Sequence, residues 1–410
     1  MATVESDAQL ELVMNIGSRP ASNDEEMAYR VDIIRSRSEF LAIRGEWNSL
    51  LEDNFSKSVW LRHEWYDCWW QAFGEGAELF VVVMYENDRL VAAIPLMIVP
   101  MRIKGFRQRV LQFMENGITP RSSFIIPGIS VEKLKVLLDE ILRRATSWDL
   151  AILNNIAHDD PGYRCAKDSF DRYGVRYLES PQRVSPYIQL SAGWEAVRAG
   201  FGKRLKRNLS NMTNRLSREG EFSLVTFSDA SDLPRALSIC EEISRRSWKG
   251  EIGKDISGTA NRAKFYRLIT AAATDHGWAT IWFLKLNDKF IAFEYGLAVD
   301  DHLLLLAIDY DLEFRQFSPG TVLRSLVLEQ LIKRGMTTYD FAGTVYDYKL
   351  YWTKQLRLHS QFWVFHSGMK SRMLYLIKAK LLPAIERLKS KSQVTEQAEI
   401  HGENSSDADS

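Results

Sequence analysis

Cysteine is scarce in this chain. Its 410 residues hold three, Cys68, Cys165 and Cys240, widely separated and without a C-x-x-C pair or a nearby histidine cluster. Neither a disulfide framework nor a zinc site is indicated, and a reducing cytoplasm is the expected setting. Net charge is lacking too: 53 Lys and Arg face 53 Asp and Glu. That balance excludes whole-molecule attraction to DNA or RNA and leaves only local basic patches. Long apolar runs are missing. The stretch LFVVVMYENDRLVAAIPLMIVPM is broken by charges and prolines short of the ~18–20 residues that a membrane-crossing helix needs. The first residues carry acids early and no basic segment ahead of an apolar one, which does not read as a secretory signal.

What is present is ordinary globular material, 46% hydrophobic and 26% charged. The length exceeds one compact core; at roughly 100–200 residues per domain it suggests two domains plus tails. Residues 1–27 are polar, acidic and aperiodic and are expected to be a disordered leader, and 392–410 an acidic disordered tail. Between them the first half reads as a strand at Tyr29–Ile34, helices over 39–51 and 62–74, and a strand pair turning at Asn87 and Asp88. Less regular strands to Ile126, a helix over 130–146 and a strand at 149–156 come next. The second half starts with a strand near Tyr187–Leu190 and a helical stretch over 196–220. A strand FSLVTFS, two helices (232–248 and 259–276), a meander turning at Asn287–Asp288 and Asp300–Asp301, a helix from Pro319 and the strand TTYDFAG complete it. The shared order points to a duplicated α/β unit.

Two segments stand out chemically. In DYDLEFRQFSPGTVLRSL a strand runs through a short loop into Ser318, Pro319 and Gly320. Ser can cap a helix, Pro suits its first position, and Gly lets a ligand approach the backbone. Such a helix start, with Arg315 beside it, fits phosphate oxygens; a well-capped helix without a ligand explains the same letters. The second segment is TTYDFAGTVYDYKLYWT, where Asp340, Tyr346, Tyr348, Lys349 and Trp352 crowd together. On a helix starting near Tyr346, the residues Tyr346, Lys349 and Trp352 share one side. An aromatic core patch with one snorkelling lysine is the plainer account.

In that order, GKRLKRNLSNM…REG, NDKFIAFEYGLAV…AIDYD, FSPGTVLRSLVLEQLIKRG and YDFAGTVYDYKLYW resemble the GNAT superfamily of N-acetyltransferases. More narrowly they are similar to its double-domain CelD-like branch, called after a cellulose-biosynthesis protein and related to the FemAB aminoacyl transferases. EWNSLLEDNFSKSVWLRHEWYDCWW and RLVAAIPLM resemble that branch too, so the likeness spans about 30 to 365. It implies an α/β (α+β) fold of tandem GNAT-like domains, 28–186 and a catalytic 187–368, each a mixed, mostly antiparallel central sheet flanked by helices. It also implies an acyl-CoA such as acetyl-CoA as cosubstrate and no metal. Its pyrophosphate would rest on the loop holding Arg315, Ser318, Gly320 and Thr321, although Ser-Pro-Gly stands where the better-known form is Q/R-x-x-G-x-G/A. Strands 303–311 and 337–343 match the pair whose splayed ends admit the pantetheine arm, and Tyr346, Lys349 and Trp352 match the Tyr-Lys-Trp signature of the branch.

Acyl transfer needs a base for the attacking amine, an oxyanion donor and an acid for the departing thiolate. Glu294, mid-strand in FEYG where a charge needs a reason, Asp309 and Asp340 are the candidate bases, against salt bridges across the sheet for each. Tyr346 is the candidate acid, with Tyr348 as substitute, and Lys349 an anion partner. The expected acceptor is an amine or hydroxyl of a sugar or small molecule of the cell envelope or of an exopolysaccharide. Two alternatives stay open: an aminoacyl-tRNA donor, and a non-catalytic scaffold in polysaccharide assembly. The basic run from Lys203 to Arg218 is a solvated face, or contacts a nucleotide 3′-phosphate, an acidic carrier or tRNA; tRNA ranks last because no stacked-aromatic RNA motif accompanies it. Residues 369–391 form a basic amphipathic pattern that suits either an anionic membrane surface, peripheral to the inner membrane, or packing on the catalytic domain. His276 and His302 read as surface or core residues.

Overall fold

The computed structural model describes residues 29–381 apart from 53–56, 104, 129, 145–146 and 173. The expected leader, the acidic tail and residues 382–391 of the basic segment lie outside them. The first half contains β1 (Tyr29–Ile34), α1 (Arg37–Ala42), α2 (Arg44–Leu51), α3 (His63–Phe73), β2 (Glu78–Glu86), β3 (Arg89–Ile103) and β4 (Phe106–Phe113). Then come α4 (Val131–Arg143), β5 (Leu150–Ala157), α5 (Pro161–Arg172) and β6 (Arg176–Gln189). The helix expected over 39–51 is two, parted at Ile43, the first opened by a Ser36–Glu39 capping box. Asn87 and Asp88 are both left-handed, φ 50 and 59, as a two-residue hairpin loop requires.

The second half holds α6 (Trp194–Gly200), α7 (Lys203–Glu219), β7 (Phe222–Phe227), α8 (Leu233–Arg245), α9 (Trp248–Glu251), α10 (Ala260–Asp275), β8 (Ala279–Leu286), β9 (Lys289–Val299) and β10 (His302–Tyr310). A 3₁₀ stretch, Leu312–Phe317, leads into α11 (Pro319–Lys333), followed by β11 (Thr338–Asp340), α12 (Asp347–Leu350), β12 (Leu356–Phe365) and α13 (Met369–Leu376). The helical stretch 196–220 is broken at Gly202, whose N–H bonds the Tyr351 carbonyl at 2.7 Å and docks α7 against the segment after α12.

Among the described residues the strands form one 12-stranded sheet in the order β1-β2-β3-β4-β5-β12-β6-β11-β10-β9-β8-β7. From either edge inward, the two halves match. β1 to β4 pair antiparallel and β5 joins β4 in parallel; β7 to β10 pair antiparallel and β11 joins β10 in parallel. The fold is mixed α/β with a mostly antiparallel sheet flanked by helices, and the repeated unit expected from element order is present in its pairing. Its last strands are exchanged. β6, closing the first half, pairs with β11; β12, closing the second, pairs with β5; and the two pair with each other.

One hydrophobic cluster joins the halves. Trp47, Trp65 and Trp69 of the first half pack with Leu237, Phe265, Ile269, Phe283 and Phe293 of the second, with the Trp65 and Phe265 rings edge-on at 5.3 Å. Two further clusters fill the opposite faces of each half. All three cysteines are free and buried. On α13, Met369, Met373 and Leu376 stay exposed, and among the described residues no helix is long and apolar enough to cross a membrane.

Candidate functional site

Parallel pairing of β10 with β11 lasts only from His302↔Thr338 to Leu304↔Asp340. A bulge between Leu305 and Ala307 turns β10 away, so the two strands fork. Beside the fork lies a cavity of about 440 Å³. Its walls come from the end of β10 (Ile308, Asp309, Tyr310), the loop and first turns of α11 (Arg315, Ser318, Gly320, Thr321, Arg324), one side of α7 (Arg204, Leu205, Asn208, Met212), Trp248 and Lys249 of α9, and Tyr348, Tyr351 and Trp352. The four residues expected to hold a pyrophosphate are thus brought together on one wall.

The helix start differs from the expected cap. Ser318 is left-handed, φ 54 and ψ 50, and its side chain makes no capping bond. Its carbonyl instead accepts from the N–H groups of Thr321 and Val322, at 2.9 and 3.2 Å. Pro319 occupies the first helical position, as read from sequence. Charge is supplied at the rim. Arg204 and Arg315 are exposed and, among the described residues, have no ion pair or side-chain hydrogen bond.

The three carboxylates have different fates. Glu294 is fully buried and is not in the cavity wall. It accepts from Arg324 Nε at 2.8 Å and from the Tyr339 hydroxyl at 3.0 Å. Burial holds its carboxyl above the usual range, opposed by the Arg324 charge and these bonds. Asp340 is likewise absent from the wall. It pairs with Arg121 at 2.7 Å and Arg357 at 3.0 Å and accepts from the Ala342 N–H at 2.9 Å. Burial pushes its carboxyl up, but the two guanidiniums outweigh burial and hold it below the usual range. Both sit in salt bridges of the kind weighed against a catalytic role, as does Asp309 with Lys249. Asp309 alone of the three lines the cavity, with Lys249 Nζ at 2.8 Å and Ser244 Oγ donating at 2.6 Å.

The aromatic segment is one short helical turn, and its residues part company. Tyr346 precedes α12, is 53% exposed and does not line the cavity; Tyr348 does. Burial raises the Tyr348 phenol above its usual range, opposed by Arg324, so it stays protonated at neutral pH. Lys349 points inward. Its Nζ donates to the carbonyls of Phe341, Ala342 and Thr344 at 3.2, 2.9 and 3.0 Å. Burial, then Arg324, pulls the ammonium down to about 7. Its donors being taken, it staples the loop between β11 and α12 and is not placed to meet a ligand. Trp352, 3% exposed, walls the cavity.

The first half has a matching fork that is closed. β4 and β5 pair from Val110↔Leu150 to Gln112↔Ile152; beyond it the chain crosses over, with Ser122 bridging Ile156 and Ile125 bridging Ala93. Phe124, Ile125 and Ile126 are buried there. The duplicated unit therefore presents one open fork.

Sequence reasoning missed Lys249, Tyr310 and Arg324 as cavity residues, while Arg204 belongs to the basic run weighed as a nucleotide 3′-phosphate contact. For Arg324 a signal existed: a lone guanidinium amid TVLRSLVL, the counterpart of a glutamate mid-strand. Lys249 carried none, because its role depends on α9 meeting β10.

Residues 203–350 match the acetyltransferase (GNAT) domain family. A search of curated proteins finds no relative of the chain. Among solved structures, FemX is similar with a TM-score of 0.55 at 13% identity, covering 82% of this chain and 98% of that one. A conserved protein of unknown function from Bacteroides thetaiotaomicron gives 0.51 at 10% identity, covering 82% and 99%. The C-terminal domain of a putative lysylphosphatidylglycerol synthetase from Agrobacterium fabrum gives 0.50 at 12% identity, covering 85% and 97%. These likenesses establish a shared fold, with a GNAT-type domain over 203–350.

Proposed function

We propose that the open fork transfers an acyl group from an acyl-CoA such as acetyl-CoA to an amine, or a hydroxyl, of a sugar or small molecule in cell-envelope or exopolysaccharide biosynthesis. One observation carries the reading: Arg204 and Arg315, exposed and without an ion pair among the described residues, line the same cavity as the helix start Ser318–Thr321 and Asp309 at the end of β10. Two fixed charges beside backbone amides suit a diphosphate, and the cavity is of a size to take the pantetheine arm attached to it.

In the transfer, the acceptor nitrogen attacks the thioester carbonyl carbon; a C–N bond forms and the C–S bond breaks. The nitrogen must shed a proton, and Asp309 is the carboxylate placed to take it, with Lys249 and Ser244 fixing its orientation. The departing thiolate needs a proton, which the Tyr348 phenol supplies. Asp309 and Tyr348 thus replace the wider set of candidates. The site works in the cytoplasm, with the exposed Met369, Met373 and Leu376 of α13 meeting the inner membrane face.

An aminoacyl-tRNA donor is the second reading, favoured by the exposed Lys203, Arg207, Arg215 and Arg218 on α7, which borders the cavity. Calorimetric titration with acetyl-CoA separates the two. Micromolar binding that weakens in Arg204→Ala/Arg315→Ala supports acyl-CoA; no binding, together with activity abolished by ribonuclease, supports the alternative.

A further inference from the structure

The fold leaves one buried donor at this site without an acceptor. Arg324 lies in the second turn of α11 and is 2% exposed, yet it forms part of the cavity wall. Its Nε is bonded to Glu294 at 2.8 Å, while Nη2 is shut off from water and has no hydrogen-bond partner. A charged donor left unmade in a dry interior is among the costlier defects a protein can carry, and such a group calls for an explanation. The guanidinium carbon lies 4.8 Å from the Phe341 ring centre, 5.6 Å from Trp352 and 5.7 Å from Tyr348. Of these rings only Tyr348 is exposed, so it is the one free to turn aside for a ligand.

Charge narrows what that ligand group is. Glu294 already balances the guanidinium, so the open side of the pair calls for an uncharged oxygen and not a second anion. The unbalanced positive charge of the cavity sits at its rim, on Arg204 and Arg315. A molecule anionic at one end and carrying a neutral carbonyl at the other matches both features. On the acyl-CoA reading above, on which this step rests, we infer that Arg324 Nη2 donates to the carbonyl oxygen of the thioester. Arg324 then distinguishes the acylated carrier from the free thiol, which has no such oxygen. Because the bond forms among aromatic rings and away from water, it is stronger than its equivalent at the surface.

Calorimetry with coenzyme A and acetyl-CoA tests this on the wild-type chain, on Arg324→Met, and on Glu294→Gln/Arg324→Met, which avoids stranding a buried carboxylate. Circular dichroism confirms that each variant is folded. The wild type is expected to bind acetyl-CoA roughly tenfold or more tighter than coenzyme A, the range of a hydrogen bond from a charged donor. In both variants that preference should collapse to near unity. Equal wild-type affinity for the two ligands, or a preference that survives in the variants, overturns the role of Arg324 and leaves the acyl-CoA reading standing. Failure of the wild type to bind either ligand removes that reading, and this inference with it.

Discussion

Replacing Asp340 by asparagine should destabilise the protein without emptying its binding cavity. The carboxylate is 5% exposed and holds Arg121 at 2.7 Å and Arg357 at 3.0 Å. Asparagine keeps an oxygen for the Ala342 N–H but loses the charge. Arg357 retains Asp159 at 2.8 Å, whereas Arg121 loses its hydrogen-bonded carboxylate and keeps its stacking on Trp60 at 3.9 Å and the more distant charge of Asp160. Stranding a buried guanidinium costs about 3–5 kcal/mol. The assay is urea unfolding monitored by tryptophan fluorescence, repeated across pH. The folded carboxyl lies below its usual range; its contribution is therefore complete above the unfolded value of roughly 4 and fades as pH falls through the folded one. Wild-type and variant stabilities should differ most near neutrality and converge in acid. A loss under about 1 kcal/mol at pH 7, or a gap that fails to narrow below pH 4, would refute the account of Asp340 as a structural clamp. Acetyl-CoA affinity should be retained, since Asp340 is not in the cavity wall.

Arg204→Ala/Arg315→Ala should weaken acetyl-CoA binding roughly tenfold or more and flatten its salt dependence, measured by calorimetry at two ionic strengths. Asp309→Asn should lower kcat by roughly a hundredfold or more while leaving acetyl-CoA affinity within a few-fold; a near-normal rate excludes it as the base. Lys349 is held at about 7 in the folded chain against 10.5 ordinarily, so between those values the unfolded chain binds the extra proton and stability rises with pH. Lys349→Met should abolish that rise in denaturation curves from pH 7 to 10. The fragment 187–368 should not unfold cooperatively, because it cuts β6, leaves β12 without β5 and exposes the tryptophan-rich shared core.

Local features were legible where local chemistry decides them. The turns at Asn87–Asp88, Asn287 and Asp300 were readable because left-handed backbone selects those residues, and φ is positive at each. The loop into α11 was readable as a strand, Ser-Pro-Gly and an apolar helix. Glu294 was singled out as a charge needing a reason, but the reason, Arg324, lies 30 positions away on another element. Tyr346, Lys349 and Trp352 were placed on one helical face, yet α12 spans only Asp347–Leu350, and no helical spacing applies across its ends. β12 went unread. Its letters suit a strand, but the place it fills belongs to the other half, which pairing reveals and periodicity does not.

That exchange of closing strands bears on how the chain is made. A ribosome delivers β5 some two hundred residues before its neighbour β12, so the first half emerges with a raw sheet edge and must wait. Edges of this kind invite pairing with other chains, and contacts so distant along the sequence form slowly. Synthesis of the last strand, at Leu356–Phe365, is the event that seals both units, and a nascent chain stalled before it is the species most in need of a chaperone.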